Sequence, residues 1–319
     1  MKVDYLRISV TDRCNLKCVY CDPLGSCEFI TREDILRFEE IHRIACLFAK
    51  CGIRKIRLTG GEPLVRKNIV ELVRKLACVD GIEELTLTTN GVVLEQMAAE
   101  LKAAGIKRVN ISVDSINTES YTQITGADVL PAVIRSIHKA IEVGLTPVKV
   151  NSVIIKNLND GAEQINALAQ MSIDLPVTVR FIEYCQTDEH TRPASDYVAT
   201  SEVRDIIERR FGRLCGIVTR NSNGPALYYK IKNSAGLIGF ISGKTSVFCS
   251  SCSRLRLTSD GKIKPCLYSD HYYDIKKLIR DGTSDEQLLV TVKAAIEEKH
   301  KYTKLNSFAE DFLMRRIGG

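Results

Sequence analysis

The sequence predicts an α/β protein, an incomplete parallel (β/α)6 barrel followed by a smaller α+β segment, and three observations carry this. Short β-branched runs alternate with longer amphipathic ones from residue 5 to about residue 183, which implies a parallel sheet with right-handed crossovers. A polar stretch, residues 184–197, then interrupts the alternation. Beyond it, strand-like runs joined by a hairpin turn replace the β/α units. With 319 residues, 45% apolar and 26% charged, the chain has the composition of a folded globular protein and enough length for a full core.

The elements follow in order. YLRISV from Tyr5 is the first strand. Behind an N-cap at Thr31, residues Ile35, Phe38, Ile41, Ile44, Ala45 and Phe48 recur at spacings of three and four, which predicts a helix stopped by Gly52. Five more strands are KIRLTG from Lys55, ELTLTTN from Glu84, RVNISV from Arg108, VKVNSVI from Val148 and VTVRFIE from Val177. Helices are expected over residues 68–79, 94–104, 129–143 and 160–171. The expected division is 1–183 for the barrel and 184–319 for the second domain. In the latter, a helix from near Ser201 to Gly212 precedes strands at 228–231, 237–241 and 254–258, then helices and a loose tail. No internal repeat or low-complexity tract occurs.

Charge and cysteine usage narrow the function classes. A net charge of +6 is mildly basic and alone does not separate nucleic acid from a small polyanion. The start, MKVDYLRISVTDRCN, sets Asp4, Arg7, Asp12 and Arg13 where a signal peptide needs apolar residues, so no export signal is expected. The apolar run 44–49 is far short of the roughly 20 residues that cross a bilayer, so no membrane span is expected either. The expected location is cytoplasmic, where thiols stay reduced. Twelve cysteines in 319 residues are too dilute for a disulfide scaffold, and clustered ones are better read as metal ligands or catalytic groups.

Cys14, Cys18 and Cys21 form such a cluster, CNLKCVYC, directly after the first strand, on the face where a parallel barrel gathers its chemistry. Three thiolates hold three irons of a [4Fe–4S] cluster and leave one open. Three core cysteines, or a zinc site lacking its fourth ligand, are the competing readings. The pattern CxxxCxxC with Tyr20 before the third cysteine resembles the signature of the radical S-adenosylmethionine (SAM) superfamily. That resemblance implies an open iron that chelates SAM and a 5′-deoxyadenosyl radical that takes a hydrogen atom from substrate. Gly60, Gly61 and Glu62 in TGGEPL are similar to the family's GGEP segment that meets the SAM ammonium. Ser112, ending ISVDS, resembles a SAM-contacting serine.

A second set, Cys249, Cys252 and Cys266, is a CxxC followed by thirteen residues and a third cysteine. RLRLTSDGKIKPC between them is a hairpin turning at Asp260 and Gly261. A three-residue loop pairs Thr258 with Lys262 and sets Cys266 opposite Arg254; a two-residue loop sets it opposite Leu255. Zinc is the competing ligand here. Arg254 and Arg256 leave one face of their strand while Leu255 and Leu257 take the other. Two guanidinium groups beside a cluster suit phosphates. Arg7 and Lys149, basic residues in apolar strands, are expensive unless paired, and an anionic ligand accounts for them.

Over nearly its whole length the chain resembles the GTP 3′,8-cyclase family of molybdenum-cofactor biosynthesis, through FCSSCSRLRLTSDGKIKPCL, GPALYY from Gly224, GFIS from Gly239 and the terminal Ile317, Gly318 and Gly319. The resemblance implies a lyase with two [4Fe–4S] clusters and SAM, the second cluster binding the guanine of GTP. It implies nucleotide contacts from Arg7, Arg57, Thr88, Lys149, Arg254, Leu255 and Arg256. It implies SAM contacts from Tyr20, Gly60, Gly61, Glu62, Ser112 and Cys185, and catalytic roles for Arg254, Arg256, Gly318 and Gly319. Expected partners are GTP, an external electron donor and the downstream cyclic pyranopterin monophosphate synthase, with a homodimer as the candidate assembly and neither nucleic acid nor membrane. The chain departs from the family at Cys185, where a methionine is usual, at Ser253, where asparagine is usual, and before Phe248. A radical SAM enzyme that modifies peptides, and a non-catalytic metal or Fe–S protein, are the alternative functions.

Overall fold

A computed structural model describes residues 3–21, 29–186, 191–218, 224–243, 245, 252–301 and 314–318. Cys249, Gly319 and most of the stretch before Cys252 lie outside the described residues.

Six strands run parallel in chain order: β1 (Tyr5–Ser9), β2 (Lys55–Thr59), β3 (Glu84–Thr89), β4 (Arg108–Ser112), β5 (Val148–Ile154) and β6 (Val177–Glu183). The crossovers contain α1 (Phe38–Lys50), α2 (Ile69–Ala77), α3 (Leu94–Ala104), α4 (Thr118–Thr125), α5 (Leu130–Glu142) and α6 (Ala162–Asp174). Strand alternation decides the two faces. Leu6, Ile8, Ile56, Leu58, Leu87, Val109, Ile111, Val150 and Val179 turn outward and are fully buried in one core with the helices. The positions between them carry Tyr5, Arg7, Arg57, Thr88, Asn110, Lys149, Asn151 and Arg180, so the concave face is polar and basic.

The rest of the chain adds α7 (Thr200–Phe211), β7 (Cys215–Ile217), β8 (Ala226–Lys230), β9 (Leu237–Ile241), β10 (Arg254–Leu257), β11 (Lys262–Lys264), β12 (Tyr273–Asp274), α8 (Ile275–Arg280), α9 (Asp285–Lys299) and α10 (Met314–Ile317). Its strands extend the same sheet, in the order β12-β11-β10-β1-β2-β3-β4-β5-β6-β9-β8-β7. β10 joins β1 in parallel with Arg256 level with Arg7, and β9 joins β6 in parallel with Gly239 level with Arg180. Residues beyond 184 therefore return to both edges of the parallel strands, and the second basic pair comes level with the first strand. Among the described residues no helix is long and apolar enough to cross a membrane.

Two local expectations are corrected. The first helix begins at Phe38, not behind Thr31. The Thr31 hydroxyl caps only a turn, accepting from Asp34 N at 3.2 Å, and the backbone of Leu36 is drawn elsewhere: its N–H donates to Ser259 O at 2.9 Å and its carbonyl accepts from Arg66. α4 was not expected; its start is fixed by Asn117, whose side chain accepts from Ser120 N, and its end by Gly126 at φ +76°. The hairpin takes the three-residue loop: Thr258 N donates to Lys262 O at 2.9 Å, with Leu257 level with Ile263 and Arg256 with Lys264. That register puts Cys266 level with Arg254.

Candidate active site

The loop after β1 presents Cys14, Cys18 and Cys21 as partly buried thiols that form no disulfide. It is tied to the end of α4, where Lys17 N and Val19 N, on either side of Cys18, donate to Thr125 O and Ile124 O, each at 2.9 Å. Leu16 N and the Asn90 amide point at Cys14 Sγ, at 3.4 and 3.8 Å. Burial pushes the Cys18 thiol well up, and Asp114, Cys21 and Cys14 add to it. Sulfurs that would repel one another as thiolates, with amide donors directed at them, suit a polycationic iron centre, which neutralises the thiolates and accepts hydrogen bonds at sulfur.

The segment after β2 is laced to this loop. Gly61 N donates to Thr11 O at 2.7 Å and Glu62 N to Arg13 O at 2.8 Å. A Cβ on Gly60 would lie 2.5 Å from Thr11 O, and one on Gly61 would lie 2.4 Å from Arg13 O. The glycines are thus required by backbone meeting backbone, whatever they offer a ligand. The carboxylate of Glu62 is 1% exposed and accepts from Leu64 N, Thr89 Oγ1 and Asn90 N, so it joins the loops after β2 and β3. Burial lifts its pKa to about 7. Ser112 ends β4, the strand end where it was expected, and its side chain is half-buried there.

Asp114, two residues on, carries a role the sequence reasoning missed although it stands inside the quoted ISVDS. Its carboxylate accepts from Tyr20 OH at 2.7 Å and from Val153 N at 2.8 Å, fixing the ring that precedes Cys21. Burial raises it to about 6.

The concave face gathers the predicted basic residues. Arg57 donates to Tyr5 OH and to Thr88 Oγ1, the latter at 3.1 Å, and Lys149 Nζ donates to Tyr228 OH at 3.1 Å. Burial and then Arg256 lower Arg7 well below the usual arginine range; burial and then Arg254 hold Arg256 near 10. Burial, then Arg180, Arg108 and Arg57, bring Lys149 to about 7. Arg180 belongs to this row too, its guanidinium on Asn151 Oδ1 at 2.8 Å, and sequence reasoning missed it. The signal was available: VTVRFIE places a basic residue in an apolar strand just as the strands of Arg7 and Lys149 do. Leu255 is the exception among the expected contacts, because alternation sends its fully buried side chain to the opposite face.

At the far edge, Cys252 and Cys266 are free and partly buried. Burial would raise the Cys252 thiol, but Arg254 and Lys299 outweigh it and bring it to about 7. Cys185 Sγ lies 3.7 Å from Tyr268 OH, two residues past Cys266. The Gly318 carbonyl accepts from Arg256 Nη1 at 2.6 Å, so the chain end reaches the basic row. Gly318 has φ +85°, and a Cβ there would lie 2.3 Å from Thr59 Cγ2, so only glycine fits.

Two family models match the chain: the radical SAM superfamily over residues 8–169 and Molybdenum Cofactor Synthesis C over residues 177–305. The GTP 3′,8-cyclase of Pelotomaculum thermopropionicum is 41% identical over 320 residues, 100% of this chain and 98% of the relative. That of Moorella thermoacetica is 42% identical over 319 residues, with the same coverage. Among solved structures, Streptococcus suis SuiB bound to S-adenosylmethionine superposes with a TM-score of 0.63 at 17% identity, over 87% of this chain and 64% of SuiB. Methylornithine synthase superposes with a TM-score of 0.52 at 18% identity, over 67% of this chain and 64% of its own. At such identities the likeness is one of fold.

Proposed function

This chain belongs to the radical SAM superfamily and, within it, to the GTP 3′,8-cyclase family, and from that premise we propose that it converts GTP to (8S)-3′,8-cyclo-7,8-dihydroguanosine 5′-triphosphate, as a lyase at the first step of molybdenum-cofactor synthesis. The observation that carries the substrate is the row of cations, Arg57, Arg180 and Arg256 buried and Arg7, Lys149 and Arg254 half-buried, on the concave face of one sheet whose loops also hold Cys14, Cys18, Cys21, Cys252 and Cys266. Cations crowded together inside a protein repel one another; a triphosphate compensates them.

Cys14, Cys18 and Cys21 would hold the SAM cluster, and Cys249, Cys252 and Cys266 a second [4Fe–4S] cluster at the substrate. When bound, the first cluster would supply the electron for reductive cleavage of SAM, and with it the radical chemistry directed at the ribose C3′ hydrogen. The chain's own residues do the rest. Arg254 and Arg256, two apart on one strand face, orient the phosphates; Arg57 and Thr88, already joined, present a donor and a hydroxyl at mid-barrel. Gly318, on Arg256, closes the phosphate end, and its lack of a side chain lets backbone approach. Tyr20, fixed by Asp114, holds one side of the SAM site. An external electron donor and a downstream cyclic pyranopterin monophosphate synthase complete the scheme.

Anaerobically reconstituted, dithionite-reduced protein is expected to bind about eight irons per chain. With SAM and GTP it should yield 5′-deoxyadenosine and a cyclised nucleotide. SAM cleavage supported equally by other nucleoside triphosphates would refute the substrate.

Lys149 gives this site a pH signature. Without nucleotide its amine is neutral above about pH 7. Bound phosphate favours the ammonium and raises that pKa, so the complex holds more protons than the separated partners in the window above 7. GTP binding at pH 8 is therefore expected to take up a proton, and affinity to weaken as pH rises through that window. Calorimetry in buffers of different ionisation enthalpy reads the uptake, and Lys149→Met should abolish it.

A further inference from the structure

Four cations of the concave face are held by groups that carry no charge. Arg57 donates to Thr88 Oγ1, Arg180 to Asn151 Oδ1, Arg256 to the Gly318 carbonyl and Lys149 to Tyr228 OH. No carboxylate takes part in these bonds. At the entry ends of the same strands, by contrast, Lys55 pairs with Asp4 and Arg108 with Glu84. An uncharged acceptor orients a cation and leaves its charge in place, whereas a carboxylate would cancel it.

Tyr228 is the acceptor that comes from farthest away. The strands run in the order β5-β6-β9-β8, so three spacings of about 4.8 Å separate its strand from that of Lys149. It stands level with Gly239 on β9, which stands level with Arg180 on β6. Its neighbour Tyr229 packs edge-on against Phe240, with ring centroids 5.6 Å apart, so alternation gives Tyr228 to the concave side. A Cβ on Gly239 would lie 3.2 Å from Tyr228 Cε1 and 2.9 Å from Arg180 Cγ, so the missing side chain is what lets the ring lean inward over β9. Lys149 Nζ then lies 3.1 Å from the hydroxyl and 5.2 Å from the ring centroid. Both contacts favour the ammonium. An ammonium has three hydrogens, and Tyr228 takes one.

We propose that Tyr228 is a positioning residue for the phosphates of the nucleotide: it seats Lys149 on the concave face and, as an uncharged acceptor, leaves the lysine's charge to the ligand. A lysine without such a holder would lose rotamer entropy on binding, which weakens affinity. Tyr228 reaches the row from one edge of the parallel strands as Arg256 does from the other, so both segments that return from beyond residue 184 take part in the grip. The proposal rests on the reading of the basic row as the triphosphate site.

The test is calorimetric titration of the reconstituted full chain with GTP and, separately, with inorganic tripolyphosphate, for wild type, Tyr228→Phe, Lys149→Met and the double variant. Tyr228→Phe is expected to keep its iron and to bind both ligands about tenfold more weakly, the effect of one hydrogen bond to a charged group. In turnover it should raise KM for GTP and preserve kcat. In the Lys149→Met background the same change should alter affinity by less than about twofold, since the lysine through which it acts is gone. An equal loss in both backgrounds, the result for a tyrosine that only shapes the fold, overturns the proposal, and so does no loss in either. Failure of the substrate reading looks different: tripolyphosphate would then bind with the same dependence on Tyr228 while GTP did not bind, which keeps the positioning role and removes the guanosine.

Discussion

Replacing both Arg254 and Arg256 by alanine is expected to weaken GTP binding by at least about a hundredfold while leaving the iron content intact. Truncating one partner of a buried, hydrogen-bonded charge pair costs roughly 2 to 5 kcal/mol, and every 1.4 kcal/mol is about tenfold in affinity. The structure adds a second sign to the expectation. Arg256 sits beside Arg254 and level with Arg7; beyond the effect of burial, Arg256 and Arg254 lower the pKa of Arg7, and Arg254 lowers that of Arg256. Removing two of them relieves repulsion in the nucleotide-free protein, against which stand the bond from Arg256 to Gly318 O and the hydrogen bond of the Arg254 side chain to Cys252. Melting without nucleotide should therefore be unchanged or slightly higher, and the thermal gain on adding GTP should be largely lost. A fall of more than about 4 °C without nucleotide, more than 1 kcal/mol in a chain this size, would make the pair structural instead. Equal GTP affinity in variant and wild type would remove them from the site.

Much of this site was legible before any coordinates because its signals are local. Each of the six parallel strands announces itself by β-branched alternation, and all six occur where expected. Cysteine spacing marks the two loops, and Asp260 with Gly261 marks the hairpin. What periodicity cannot convey is which distant edge a strand will join. Nothing in RLRL states that it pairs with YLRIS some 250 residues earlier, yet that pairing sets Arg256 level with Arg7 and makes one basic row of two segments. The late start of α1 has the same origin, since Leu36 gives its backbone N–H to Ser259, at the hairpin turn. Arg180 and Asp114 differ in kind. Both stood in motifs that were read for other residues, and the rule that a charge in an apolar strand needs a partner applied to Arg180 as it did to Lys149.

Gly61→Ala is expected to remove the SAM-binding cluster, a loss of about four irons per chain, with SAM affinity falling below detection. The added Cβ would lie 2.4 Å from Arg13 O, 2.7 Å from Arg13 C and 2.8 Å from Asp12 O. All three are backbone atoms, so no rotamer change can relieve the clash. The strands cannot part either, because Ser9 pairs with Thr59 immediately before both loops, and Val10 N donates to Thr59 O at 2.9 Å. The chain must instead give up Gly61 N to Thr11 O and Glu62 N to Arg13 O, and the displaced segment is the one that enters Cys14. Overpacking a core costs about 1 to 3 kcal/mol when side chains can adjust; here the whole strain falls on the loop that must place three sulfurs around one cluster. Global stability should survive, since the outward core of β1 and β2, Leu6, Ile8, Ile56 and Leu58, is untouched. The second cluster and GTP binding should persist, because Cys252, Arg254, Arg256 and Cys266 reach the sheet through β10 and its hairpin. Gly161→Ala, where a Cβ would meet nothing within 4 Å, is the control expected to keep all of its iron. If Gly61→Ala kept a full complement of iron and bound SAM normally, the close contact of the two loops would not be what shapes the cluster site.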